Sequence, residues 1–122
     1  MTLTANKIMG ATRALSTLTS AALPYRFARQ ISRLNQWLNE ESQSITNAQI
    51  HLVEKYHGAV QQDGSIVFDD PEMQKIFITE AEQQFQEDID YDPPACDLRG
   101  GCDDLMISAA DLSALEGLVL FD

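Results

Sequence analysis

One apolar stripe limits what this chain can fold into. From Pro24 to about Tyr56, the residues Phe27, Ile31, Leu34, Leu38, Ile45, Ala48 and Leu52 step by three and four, with Glu41 falling on the seam. That is helical spacing. Ile31, Leu38, Ile45 and Leu52 lie seven apart, a period that packs a helix lengthwise on a partner helix at a shallow crossing angle. A helix of about 33 residues is roughly 50 Å long, which is long for a chain of 122 residues. Two solutions follow. Either the helix kinks near Ser42–Thr46, where Ser44 or Thr46 starts a new helix, or part of its stripe finds cover in another chain.

The remaining segments arrange themselves around this rod. Residues 4–20 read as a first helix, capped by Thr4, with Ile8, Ala11, Leu15 and Leu18 at helical spacing. Gly10 weakens it slightly. Pro24 breaks the chain and suits the first turn of the next helix. His57-Gly58 is a stop, and 59–68 reads as a hairpin with Asp63-Gly64 at the turn and Ile66-Val67-Phe68 as a β-rich arm. Asp70-Pro71-Glu72 is a helix start. That helix is expected to run to about Ile89, with Met73, Ile76, Phe77, Ala81 and Phe85 on one face as the partner of the long stripe. Residues 91–104 read as a loop. Leu105-Met106-Ile107 reads as a short strand, Ser108 as the cap of a small helix turning Leu112 and Leu115 inward, and 118–121 as a last strand.

The fold class is therefore mostly α within α+β: a single domain over 1–122, with a long helix on a second helix and a small antiparallel hairpin. The expected core is Leu15, Phe27, Ile31, Leu34, Leu38, Ile45, Leu52, Phe68, Met73, Phe77, Phe85, Leu112 and Leu115.

Charge divides the chain in two. Residues 1–55 carry six Lys or Arg against three acids, and residues 56–122 carry two against sixteen, so the halves stand at +3 and −14 within a net −11. The acidic half is unsuited to direct contact with nucleic acid, because like charges repel. It suits a partner with a basic surface, and it also keeps copies of the chain apart in solution. No apolar run approaches the roughly 20 residues that cross a bilayer, and MTLTANKIMGATRAL has no basic segment followed by a sustained apolar stretch. The expected location is the cytoplasm, that of an infected host included, or a virion.

Catalytic and metal patterns fail on inspection. Asp88, Asp90 and Asp92 open a calcium loop, but its sixth position is Pro93, where Gly is required, and its twelfth is Arg99, where a bidentate Glu belongs. His51 and His57 lie six apart and face different sides of a helix. Cys96 and Cys102 sit in one loop. Without an export signal they are expected as thiols, and a disulfide between them would close only a small loop. No G-x-S-x-G, P-loop or H-E-x-x-H occurs. The chain is thus expected to be no enzyme and to use no cofactor.

Binding is the better expectation. Arg26, Arg29 and Arg33 step by three and four into a basic stripe beside the apolar seam, a contact for an acidic partner or a phosphate, or a solvated face. Trp37 is either core edge or an anchor for a partner. Glu87, Asp88, Asp90 and Asp92, with Asp97, Asp103 and Asp104 beyond them, form the acidic face.

The order of parts, ALPYRFARQISRLNQWLNEE, HLVEKYHG, DGSIVF, PEMQKIFITEAEQQF and ISAADLSALEGLVLF, resembles a family of small uncharacterised proteins encoded by bacteriophages and prophages, chiefly of Gram-positive bacteria. The resemblance covers most of the chain and implies a phage protein. It carries over no functional residues, and it does not extend to the cysteine-bearing loop or to the density of acids. Two functions are then expected. The first is a non-catalytic protein that docks on a phage structural or assembly partner, on a host factor or on itself. The second is an acidic anti-defence inhibitor, of the anti-CRISPR kind, that mimics nucleic acid and blocks a basic channel of a host nuclease complex.

Overall fold

The structure is a computed structural model describing residues 1–20, 22–100 and 106–121. The chain runs β1 (Thr2–Leu3), α1 (Ala5–Ser16), α2 (Tyr25–Lys55), β2 (Gly58–Val60), β3 (Ile66–Phe68), α3 (Pro71–Gln86), β4 (Ile89–Asp90) and α4 (Ala109–Leu115). It is mostly helical, with two small antiparallel ladders: β2 pairs with β3, and β1 pairs with β4.

The long helix is one helix. α2 runs without a break through the segment where a kink was the alternative. Neither Ser44 nor Thr46 starts a new helix there. The Ser42 hydroxyl meets that of Thr12 at 2.7 Å and ties α2 to α1. At 31 residues α2 spans roughly 46 Å, at 1.5 Å per residue.

Its main partner is α1, not α3. α1 presents Ile8, Ala11, Ala14 and Leu15, all essentially buried, to Phe27, Ile31, Leu34 and Leu38 of α2 in the larger core. The small Ala11 and Ala14 side chains let the helices approach, and full burial of Leu15, Leu34 and Leu38 contributes about 2 kcal/mol each. α4 packs on α1 as well and adds Leu115, and the chain on either side of it adds Cys96, Leu98, Leu118 and Val119.

The limit of this core is geometric. α1 has 12 residues and reaches only roughly 18 Å at the same rise, so it cannot cover α2 to its end. Between Leu38 and Leu52 no α2 residue is fully buried. Ile45 is half-buried against the larger core and Ala48 is exposed, so the expected stripe thins out there. Cover resumes in a second, small core of Leu52, Val53, Phe77 and Ala81, where α3 and the hairpin meet the end of α2.

Other expectations are corrected by the same packing. α1 ends at Ser16 rather than 20. A tight turn, with Leu18 N–H donating to Leu15 C=O, then tucks Leu18 into the core. α3 stops at Gln86, because Glu87 is extended and leads into β4, which pairs with the N-terminal strand. On α3 only Phe77 and Ala81 are buried; Met73 and Phe85 are half-buried, as is Phe68 in β3, and Ile76 is 47% exposed. Leu112 is also exposed, at 42%, and its neighbour Ala114 packs inward instead. Met106 and Ile107 form no strand, and Leu105 lies outside the described residues. The last segment forms only a single parallel bridge, Asp97 to Leu120.

The caps and turns are local chemistry. Thr4 accepts from Lys7 N–H, Asp70 from Glu72 N–H and Ser108 from Asp111 N–H, each satisfying an orphan donor of a first turn. The hairpin loop closes with Gly64 at φ 86° and Asp63 accepting from the Ser65 N–H and hydroxyl. The stop after α2 divides its work between two residues. His57 takes the left-handed turn, at φ 59°, while Gly58 is needed for space: a Cβ there would lie 2.7 Å from Phe68 and 2.9 Å from Val53. We expect His57→Gly to stabilise the protein by about 0.5 kcal/mol, the left-handed strain relieved less the entropy of glycine. Gly58→Ala should destabilise it by about 1–3 kcal/mol through overpacking. Urea unfolding of the two variants measures both.

Candidate binding cleft on the long helix

α2 carries the basic stripe on its outer side. Arg26, Arg29 and Arg33 are all exposed, and among the described residues none of them forms an ion pair. The Arg26 guanidinium lies 4.5 Å from the centre of the Phe27 ring, where it shields the start of the core. One turn beyond Arg33 comes Trp37, half-buried and packed against the larger core. Its ring meets Tyr91 edge-on, at 5.8 Å between centroids and 89° between planes.

Tyr91 is brought there by β4. Ile89 and Asp90 pair with Leu3 and Thr2, and the Tyr91 N–H donates to the Met1 carbonyl at 2.7 Å. The chain then passes Asp92, Pro93 and Pro94 along α2. Arg33, Gln36, Trp37, Glu40, Asp92, Pro93 and Pro94 together line an open cleft of about 510 Å³. Burial pushes the Tyr91 phenol up from its ordinary value, and the nearby Glu41 carboxylate adds to the shift.

A buckle holds the following segment down. Gln30 on α2 accepts from Asp97 N–H at 2.8 Å and donates back to the Asp97 carbonyl at 3.2 Å. Cys96 and Leu98 on either side enter the core, and the segment bonds in turn to Leu120. The Asp97 carboxylate does not face outward as a lone charge. Arg99 grips it through two hydrogen bonds, 3.0 Å from Nε and 2.9 Å from a terminal nitrogen, and holds its pKa down at about 2.

The expected site residues therefore separate. The structure brings Arg33, Trp37 and Asp92 to one cleft, with Arg26 and Arg29 extending it along α2. Asp90 is salt-bridged to the N-terminal amine at 3.0 Å. Asp97 is taken by Arg99, whereas Glu87 and Asp88 are exposed. Asp103, Asp104 and Cys102 lie outside the described residues. Sequence reading missed Gln30, Gln36, Glu40, Tyr91, Pro93 and Pro94. Gln36 and Glu40 continue the helical spacing of the arginines and were legible in principle. Tyr91, Pro93 and Pro94 join α2 from about sixty residues away along the chain, as does the Asp97 that Gln30 binds, and no local spacing signals such a contact.

A second, smaller pocket of about 160 Å³ lies between the end of α1 and the start of α2, lined by Leu18, Leu23, Ala28 and Ile31 with Thr19, Ser32 and Asn35. It holds no ionisable group and has room for only a few heavy atoms. Far from both, Tyr56 donates to Glu80, which also receives Lys55 Nζ at 3.4 Å. This pins α3 to the end of α2, and the hydrogen bond from Tyr56 is the main reason the Glu80 pKa is lowered. His51 is exposed, 3.9 Å from Glu54. Among the described residues no group of three His, Cys, Asp or Glu side chains is placed to hold a metal ion, and no helix is long and apolar enough to cross a membrane.

No protein-family model matches the chain, and neither a curated protein nor a solved structure does. The functional reading rests on the cleft itself: cations on a rigid helix, a half-buried indole and a proline-walled flank. Tryptophan and arginine are enriched at protein interfaces.

The Asp97–Arg99 pair generates a test. The Asp97 pKa is depressed in the folded state, so its stabilising contribution is complete above the unfolded value of about 4 and fades as pH falls from there toward 2. Asp97→Asn should therefore lower the Tm at neutral pH and flatten its pH dependence between about pH 4 and pH 2. Thermal unfolding followed by circular dichroism across that range measures it.

Proposed function

We propose that this chain is a non-catalytic, phage-encoded binding protein that docks on a protein partner through the Trp37 cleft of α2. The partner is a virion or assembly component, or a host factor. One observation carries this reading: Arg33, Trp37, Asp92, Pro93 and Pro94, distant in sequence, converge on one open cleft beside two further arginines that form no ion pair among the described residues. Tryptophan and arginine are the residues most often found at the energetic centre of protein interfaces. A proline wall loses little entropy on binding. The phage origin rests on the order of sequence segments described above.

The test uses the full chain, immobilised, against purified structural proteins and anti-defence targets of the encoding phage and its host. Arg33→Ala is expected to weaken capture of the true partner by about tenfold or more, with the fold unchanged because the side chain is exposed. Trp37→Ala should weaken it further. Binding indifferent to both substitutions would remove the cleft from this role.

A second reading, the acidic inhibitor, has its own supporting observation. Asp88, Asp90 and Asp92 recur at every second residue and all three are exposed, Asp90 on the N-terminal amine and Asp92 at the α2 cleft. A close run of exposed carboxylates suits a basic channel. Cleavage assays on host nucleases discriminate. Inhibition that falls steeply with added salt and is lost in Asp88→Asn with Asp92→Asn supports the mimic. Unaltered cleavage across effectors removes it.

A further inference from the structure

We propose that the first partner of the α2 cleft is a second copy of this chain, paired antiparallel along α2 about a two-fold axis between Gln36 and Trp37. The inference rests on the reading of that cleft as a docking face and names its occupant.

Charges on the outer face of α2 follow a particular order. Arg26, Arg29 and Arg33 occupy successive turns, then Trp37, then Glu40. Arg33 and Glu40 are seven residues apart, two turns or roughly 10.5 Å along the axis, so this pair is not set to meet within one helix. Among the described residues Glu40 instead receives only a long contact from Gln36, at 3.4 Å. Such a face is self-complementary. Turned antiparallel about the Gln36–Trp37 midpoint, Arg33 of each copy faces Glu40 of the other, and Arg29 faces the exposed Ser44. Parallel pairing in register would set Arg33 against Arg33. A two-fold interface requires this reciprocity, residue i meeting j and j meeting i.

Two further observations favour self-pairing at this place. The cleft carries both signs, with Asp92 lining it beside Arg33, so each copy presents a cation and an acid to the other. In addition, a chain with net charge −11 repels its own copies over most of its surface. Residues 1–55, which include all of α2, stand at +3 while the rest stands at −14. Meeting through α2 places the less acidic half of each copy at the contact, with Asp92 as the acid that faces the partner's arginines. The two Trp37 rings and the Pro93-Pro94 walls then flank the axis, where a desolvated aromatic contributes most. The face is otherwise polar, so the dimer is expected to be modest, with Kd on the order of 1–100 µM.

The test is a charge swap read by sedimentation equilibrium on the full chain, with circular dichroism to confirm the fold. Arg33→Glu alone sets a carboxylate against the native Glu40 of the other copy, and Glu40→Arg alone sets a guanidinium against the native Arg33. Each should weaken the dimer by about a hundredfold or more. Mixing the two variants one to one should restore dimer, because both contacts between unlike chains are then complementary, and the double variant should restore it by itself. A wild-type chain that stays monomeric to about 1 mM overturns the inference, as does a dimer insensitive to both single reversals or a mixture that fails to associate. A monomer that still binds another purified protein through the cleft overturns the self-pairing and leaves the docking function standing.

Discussion

The fold depends on one contact: the small-residue face of α1 against the first half of α2. It brings together Ile8, Ala11, Ala14, Leu15, Phe27, Ile31, Leu34 and Leu38. Every later segment builds on that pair. α4 closes over α1, the 96–98 segment is buckled to Gln30 beside α2, and 118–119 fills the remaining gap. Because α1 is less than half as long as α2, the contact ends near Leu38, and the chain needs a second core to hold the far end of the rod. Among the described residues that core has four buried members, and polar ties, Tyr56 and Lys55 to Glu80, help fix α3. Small cores stabilise little by themselves, so the far end of the rod is the weaker half of the molecule.

The acids follow a related logic. An excess of eleven negative charges destabilises a compact chain by self-repulsion, yet the described residues include no buried charged side chain. Asp97 is neutralised by Arg99, Asp90 by the N-terminal amine and Glu80 by Lys55. Exposed pairs of this kind contribute little to stability one by one. Their larger effect is to leave fewer unscreened acids close to the core, while Glu87, Asp88 and Asp92 remain in solvent.

Much of this was legible in the sequence, and what was not has a common cause. The α2 stripe up to Leu38 and again at Leu52, the Asp70-Pro71 start, the Asp63-Gly64 hairpin and the Ser108 cap are local signals, and each appears where its residues place it. The partner of the stripe was misread because α1 and α3 both present an apolar face, and periodicity does not say which one is close-packing. Ala11 and Ala14 favour α1, since small side chains admit a close neighbour, while α3 meets only the end of α2, through Phe77 and Ala81. The strand pair Thr2–Leu3 with Ile89–Asp90 is two residues long, too short for any alternation to show. Cys96 and Leu98 are buried in a segment without period, because a loop can reach the core through two long-range carbonyl and amide bonds as well as through a regular face. For the cleft, the helical half was legible and the Tyr91–Pro94 half was not.

The position of the cleft on α2 follows from the same packing. Arg33 and Trp37 lie on the stretch of helix that α1 holds from behind, not on the thinly covered stretch after Leu38. A partner meeting this stretch meets side chains whose backbone is already fixed, so little ordering entropy opposes binding. Trp37 sharpens the point. One side of its ring is packed into the core and against Tyr91, and its remaining surface lines the cleft. The indole cannot swing away without opening the core, so it offers apolar area at almost no conformational cost. On an exposed helix face the same tryptophan would have to be immobilised by the partner. Here the α1–α2 contact has already done so, and the physical basis of the fold is also the basis of the site.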